Sequence, residues 1–301
     1  MPKIEEVKLT KSQVLVRRLC SSSFLYGILL LGLFGPGQIS VLAFGFAIII
    51  SGLMAVSELY YMAEKCGQSP FKNVGLIFSG VLLGGVFWAL AIKEDIALAQ
   101  QLELLGLSFV VPIIGIAQLR SYSRGVASIA PLASTVFGIV YVVILLNLLQ
   151  KIRYFPGDIQ SGDGSWWLLF FILVSKMSDT GAYCTGQLIG KTKMIPRVSP
   201  GKTWEGFVGG IVFSVITACL FQQFAGDHFS PMPLIHALVL GILLGVGSVI
   251  GDLVESLIKR EADVKDSGKF FPGIGGVLDL LDSLLFNAPI MYVYLKYILP
   301  S

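Results

Sequence analysis

Long stretches of this chain are apolar without alternation, and nothing constrains its fold more. Residues 24–34, 126–149 and 166–174 are hydrophobic on every side rather than at every second position. A membrane-spanning strand alternates over about ten residues, whereas a spanning helix needs about twenty mostly apolar ones. The pattern predicts an all-α polytopic membrane protein. Charge points the same way: Asp, Glu, Lys and Arg make up only 14% of the 301 residues. Soluble domains carry about 25%. The 34 glycines suit helices that pack closely in lipid through small side chains.

Nine stretches qualify as spans: 19–34, 39–57, 73–92, 102–119, 126–150, 165–184, 205–224, 233–254 and 280–299. Basic residues concentrate in loops on the cytoplasmic side. With the N-terminus inside, the inner segments hold 18 of the 22 Lys and Arg residues, and only Lys93, Lys151, Arg153 and Lys296 face outward. Gaining or losing a central span would scramble that bias. The expectation is about nine transmembrane helices, N-terminus cytoplasmic and C-terminus outside. The basic start (Lys3, Lys8, Lys11, Arg17, Arg18) is not followed by a small-residue cleavage site and reads as retained.

The charge distribution divides the chain in two. Residues 1–155 hold about five sparsely charged spans for packing and lipid access. Residues 156–301 hold about four spans and the polar tracts 185–204 and 255–279, where chemistry is expected. Cys20, Cys66, Cys184 and Cys219 lack CxxC spacing and read as small apolar residues. His228 and His236 have no ligand-like partners, so no zinc site is expected.

The first tract contains Ser178-Asp179-Thr180-Gly181-Ala182-Tyr183 and then Ser199-Pro200-Gly201-Lys202-Thr203-Trp204-Glu205-Gly206. Lys176 and Asp179, three apart at membrane depth, read either as a self-neutralising pair or as the lining of a polar cavity. Backbone amides at the helix start beside Lys202 can hold phosphate oxygens, although the GxxxxGK[ST] spacing of a Walker A loop is absent. Glu205 is expected to cap that helix.

In the second tract Asp252, Glu255 and Lys259 lie at i, i+3 and i+7 on one helical face. Lys265, Asp266, Gly268 and Lys269 lead into the turn Pro272-Gly273-Ile274-Gly275-Gly276, and Asp279 and Asp282 open the last span. Acids on two helix ends, beside glycines and cations, suit phosphoryl chemistry. Mg²⁺ takes carboxylate and phosphate oxygens, Lys and Arg offset the remaining charge, and Gly lets the backbone approach closely. A topogenic role explains the loop cations but neither Asp252 nor Asp279.

At these residues the chain resembles the CTP:phosphatidate cytidylyltransferases, the CDP-diacylglycerol synthases. Their signature runs S-x-x-K-R, four residues, K-D-x-[GSA], then P-x-H-G-G and D-R-x-D. Ser256, Lys259, Arg260, Lys265, Asp266, Gly268, Pro272, Gly275, Gly276, Asp279 and Asp282 match it. The stretches opening at Asp179 and Ser199 look like the family's other tract, and Gly251-Asp252-Leu253-Val254-Glu255 also fits. The resemblance covers about residues 175–290, with a fainter echo at 58–70, opening on Glu58. Ile274 stands where the family has His, and Leu280 where it has Arg, so no role of those two side chains carries over.

The resemblance implies transfer of CMP from CTP to phosphatidate at the inner leaflet, giving CDP-diacylglycerol and pyrophosphate for phospholipid synthesis. The lipid phosphate is already charged, so positioning and electrostatics carry most of the catalysis. Mg²⁺ is the implied cofactor, held first by Asp252 and Asp279, then by Asp282 and Asp179, with room for a second cation. Asp252, Asp279, Lys259 and Lys202 are the expected catalytic residues. Lys202, Lys259, Arg260, Lys265, Ser199, Gly275 and Gly276 are the expected substrate contacts. CTP, phosphatidate and the bilayer are the expected partners, without nucleic acid, and a homodimer is left open. The expected location is a bacterial plasma (inner) membrane, with the active site facing the cytoplasm. Two other readings are a CTP-dependent lipid-alcohol kinase and a non-enzyme ion-coupled transporter. Polar motifs confined to one half of the chain speak against the transporter.

Overall fold

The structure is a computed structural model that describes residues 11–122, 128–155, 164–226, 232–268, 270 and 275–299, with side chains from residue 23 onward except at 121 and 122. It is nearly all helical. The helices are α1 (Lys11–Phe34), α2 (Gln38–Lys65), α3 (Lys72–Ala91), α4 (Ile96–Tyr122), α5 (Ala130–Gly138) and α6 (Leu145–Arg153). They continue with α7 (Gly164–Ile189), α8 (Trp204–Phe224), α9 (Leu234–Glu261) and α10 (Val277–Tyr297). A π-helical turn, Ile139–Ile144, joins α5 to α6 into one continuous rod.

Seven helical stretches among the described residues are long and apolar enough to cross a membrane, against the nine read from the sequence. They are α2, α3, α4, the α5–α6 rod, α8, α9 and α10. The apolar part of α1, Ser23–Phe34, is shorter. Helix α7 has the length, but its second half carries Lys176 and Asp179.

Burial follows the logic of a lipid-facing molecule. Ile77, Val81 and Leu119 are about 70% exposed on the outer faces, while Trp167, Phe170 and Phe171 of α7 are fully enclosed. Polar groups also lie inside. The Asn287 amide nitrogen of α10 is 2.9 Å from Ser175 Oγ on α7, and from Leu244 O and Ser248 Oγ on α9. In hydrocarbon such a group must find its partners within the bundle. Gly247 makes this possible, because a Cβ there would collide with Asn287 Oδ1. Gly247→Val is therefore expected to separate α9 from α10 and cost about 1–3 kcal/mol. A melting curve in detergent micelles would show it as a lowered midpoint, and an unchanged midpoint would refute the packing argument.

Glu103 of α4 and Lys151 of α6 form a buried ion pair, and the Lys151 ammonium lies 5.8 Å from the Tyr292 ring. Tyr292 is ten residues beyond Asp282 along α10, about 15 Å at 1.5 Å per residue. This pair thus marks the opposite end of α10 from the acidic motifs. At their end a short antiparallel hairpin, β1 (Lys193–Ile195) with β2 (Ser199–Thr203), replaces the open loop read over 185–204.

Candidate functional site

Four elements converge around the acidic motifs: the second half of α7, the C-terminal half of α9, the first turns of α10, and the hairpin. The helical spacing seen in the sequence turns Asp252 and Glu255 toward Asp282. Carboxylate oxygens of Asp252, Glu255 and Asp282 all lie within 4.8 Å of one another. Glu255 is fully buried and Asp282 nearly so. A hard cation at about 2.0–2.6 Å from each donor spans up to about 5 Å between opposite oxygens, so the three fit one ion.

Three ammonium groups thread through the acids. Lys202 of β2 is 2.8 Å from Asp252 and donates to Val249 O at 3.0 Å. Lys259 bridges Glu255 at 2.5 Å and Asp279 at 2.8 Å. Lys176 stands 3.5 Å from Asp179 and 3.7 Å from Asp282, and donates to Ser283 Oγ at 2.9 Å. The pair read as Lys176 with Asp179 is thus a triad with Asp282. Counting these groups alone, five carboxylates (Asp179, Asp252, Glu255, Asp279, Asp282) meet three ammonium groups (Lys176, Lys202, Lys259), a formal excess of two negative charges. Unpaired buried charge is costly. A divalent cation would close that deficit, and an all-carboxylate donor set suits a hard one.

Asp279 is not part of that group of three acids. As the third residue of α10 it reaches back to the Gly276 amide at 2.7 Å. Its Oδ2 also accepts from Ser267 N and Ser267 Oγ at 3.0 Å each, and Oδ1 from Lys259. Both oxygens are engaged, and Asp279 stands outside the group of three acids whose oxygens lie close enough to share one ion. Asp179 likewise lies outside the triad and is held by Lys176 and Ser283 Oγ.

The start of α10 draws a further carboxylate from the N-terminal half. Glu58 of α2 accepts from Val277 N at 3.0 Å and Leu278 N at 2.9 Å, and its Oε2 lies 2.9 Å from Ser267 Oγ. A carboxylate satisfies the free amides of a first turn and complements the helix dipole. The start of α10 is therefore held by a residue from the N-terminal half of the chain. Gly276 sits where a Cβ would lie 2.6 Å from the Gly268 amide nitrogen and against Glu58, so no side chain fits. Gly275, at φ +128°, adopts a backbone conformation that side chains disfavour.

The remaining expected contacts are spread around this centre. Ser199 and Lys202 line a cavity of about 330 Å³ that also touches Asp179, Asp252, Gly201 and Gly206. Arg260 is exposed and braces the hairpin, donating to Val198 O at 3.1 Å and to Val264 O at 3.4 Å. Lys265 is exposed on the following loop. Thr203, not Glu205, caps α8 by accepting from Gly206 N, while Glu205 accepts from Lys191 N and Thr192 N at the start of the hairpin. Leu280 is half-buried on α10, and Lys269, Pro272, Gly273, Ile274 and His228 lie outside the described residues.

The sequence pattern that defines the cytidylyltransferase family matches residues 16–298. The chain belongs to that family. Among curated cytidylyltransferases, the phosphatidate cytidylyltransferase of Bacillus subtilis (strain 168) is 45% identical over 132 residues, 44% of this chain and 48% of the relative. That of Staphylococcus epidermidis (strain RP62A) is 31% identical over 250 residues, 83% of this chain and 88% of the relative. That of Chlamydia muridarum is 37% identical over 185 residues, 58% of each. The matched stretch thus spans about half the length of the Bacillus and Chlamydia proteins and most of the Staphylococcus one.

Proposed function

We propose that this cytidylyltransferase moves CMP from CTP to phosphatidate, giving CDP-diacylglycerol and pyrophosphate. The observation that carries the reading is the meeting of the Asp252–Glu255–Asp282 triad with Lys202 and Lys259 beside a glycine-restricted turn. Relatives named phosphatidate cytidylyltransferase supply the substrate pair.

In this reaction an oxygen of the lipid phosphate bonds to the α-phosphorus of CTP. The bond from that phosphorus to its bridging oxygen breaks, and the electron pair leaves with pyrophosphate. Asp252, Glu255 and Asp282 would hold Mg²⁺, which supplies charge neutralisation and orientation for phosphate oxygens. Lys202 and Lys259 now neutralise Asp252, Glu255 and Asp279. Once the acids have another cation to face, those ammonium groups are free to turn to the phosphates of the substrates. Asp279 and Glu58 hold the start of α10, and through it the turn at Gly275 and Gly276, in register. Burial limits water, the competing nucleophile.

The same reading places nine crossings, a cytoplasmic N-terminus, an outer C-terminus and a site at the inner leaflet of a bacterial plasma membrane. The bias of basic residues supports it. So does the chemistry, since CTP arrives from the cytoplasm and phosphatidate stays in the bilayer.

The test uses purified protein in detergent micelles with phosphatidate, diacylglycerol as an alcohol acceptor, Mg²⁺ and CTP labelled in the base or in the γ-phosphate. The expected result is base label in the lipid, with pyrophosphate released. Only γ-label in a lipid acceptor would make the chain a lipid kinase, and no label in lipid from folded protein would refute both.

A further inference from the structure

The cavity beside the acids has a second end that none of the roles above uses. Its walls come from the last turns of α7 (Asp179, Tyr183, Gln187), from Ser199 and Lys202 of β2, and from Phe207 of α8. Asp179, Tyr183 and Gln187 follow at intervals of four, so they share one helical face, each about 6 Å further along the axis. That face starts at the carboxylates and ends at the hairpin. In the other direction along α7, Trp167, Phe170 and Phe171 are fully enclosed. The cavity therefore leads away from the apolar body of the helix, toward its polar end. Acyl chains belong with the apolar spans, so the part of a substrate that extends this way is the water-soluble one.

The side chains change in the same direction. Lys202 and Asp252 stand at the acid end, where phosphates belong. Thr203 Oγ1 is occupied in capping α8, and Asp179 is held by Lys176 and Ser283. Two turns beyond Asp179, the exposed Gln187 brings the one amide among the described lining residues. Tyr183, between them, is 66% exposed. An open aromatic ring is a platform for a planar base, and an amide carries a donor and an acceptor side by side, as pairing with a base edge requires. At about 330 Å³ the cavity is large enough for a small ligand group, since ligand pockets start at about 300 Å³.

We propose that Tyr183 and Gln187 bind the nucleoside, Tyr183 stacking on the cytosine ring and the Gln187 amide hydrogen-bonding its edge, with the triphosphate at the Lys202 end. The inference rests on the cytidylyltransferase reading and deepens it, because it makes the C-terminal end of α7 the part that holds the base.

Wild type, Tyr183→Ala, Tyr183→Phe and Gln187→Ala are titrated in micelles containing Mg²⁺ with CTP, with tripolyphosphate and with a short-chain phosphatidate. Tripolyphosphate carries the charged part of the nucleotide without ribose or base. Both side chains are exposed, so the variants keep the fold. Tyr183→Ala is expected to weaken CTP binding about 5- to 100-fold, the loss of one base stack. Gln187→Ala is expected to weaken it about 3- to 10-fold, as for a neutral hydrogen bond. Tyr183→Phe keeps the ring and should match wild type. Tripolyphosphate and phosphatidate should bind all four proteins alike, which separates contact with the base from general damage to the site. Equal losses of CTP and tripolyphosphate overturn the proposal, as does unchanged CTP affinity in either alanine variant. Wild type that binds CTP no better than tripolyphosphate overturns it as well. Weakening confined to phosphatidate also overturns it and gives the cavity to the lipid. The expected losses in a protein that moves no base label into lipid would instead refute the cytidylyl reading alone.

Discussion

Asp252→Asn is expected to lower CMP transfer about 1,000-fold, near 4 kcal/mol of barrier, with the protein still folded. Asp252 is the most exposed of the three triad acids, with 39% of its side chain open, and it also anchors Lys202 at 2.8 Å. Asn keeps the shape but removes the charge, so the triad loses a ligand and Lys202 loses its partner. Because Asp252 lines the cavity and is not enclosed like Glu255, the melting midpoint should move little. Turnover of labelled CTP and a melting curve on the same preparation check this. Transfer within tenfold of wild type would remove Asp252 from the site.

Lys259→Met has the largest expected effect on stability. Its ammonium is the only cation paired with both Glu255 and Asp279 among the described residues. Removing one partner of a buried ion pair costs about 3–5 kcal/mol, because the other charge stays buried and uncompensated. Transfer should be lost along with a large fall in melting midpoint. The double variant Lys259→Met with Glu255→Gln should recover much of the stability, since it also removes the fully buried one of the two orphaned charges, yet stay inactive. A double variant that melts no higher than Lys259→Met would show that the bridge does not act through charge.

Helices were legible in the sequence because every long apolar run must satisfy its backbone internally, and in lipid a helix does so without partners. The acids of α9 were legible too, since Asp252, Glu255 and Lys259 recur at helical spacing. Their assignment was not. Asp279 read as a ligand because it is an acid at a helix start beside glycines and cations, and its place in the first turn also puts free amides within its reach. Glu255 stood three residues after Asp252 in the sequence, and only the approach of Asp282 from α10 brings it into a group of three acids. Glu58 could not be weighed, since its partners Val277 and Leu278 lie more than two hundred residues away in the chain. The hairpin was hidden for a local reason. Pro200 and Gly201 argue against a strand, which forms because Trp204 N bonds back to Thr192 O. The π-turn Ile139–Ile144 has no residue pattern of its own.

On the proposed mechanism, CMP transfer depends on the carboxylate triad working as a divalent-cation site. The deciding measurement is the rate of base-label transfer into phosphatidate as a function of Mg²⁺ concentration, for wild type and for Glu255→Gln. The expected result is no transfer in EDTA, saturation with Mg²⁺ in wild type, and a midpoint displaced at least about tenfold upward in Glu255→Gln, near 1.4 kcal/mol of lost binding. Undiminished transfer in EDTA, or the same Mg²⁺ midpoint in both proteins, would contradict it.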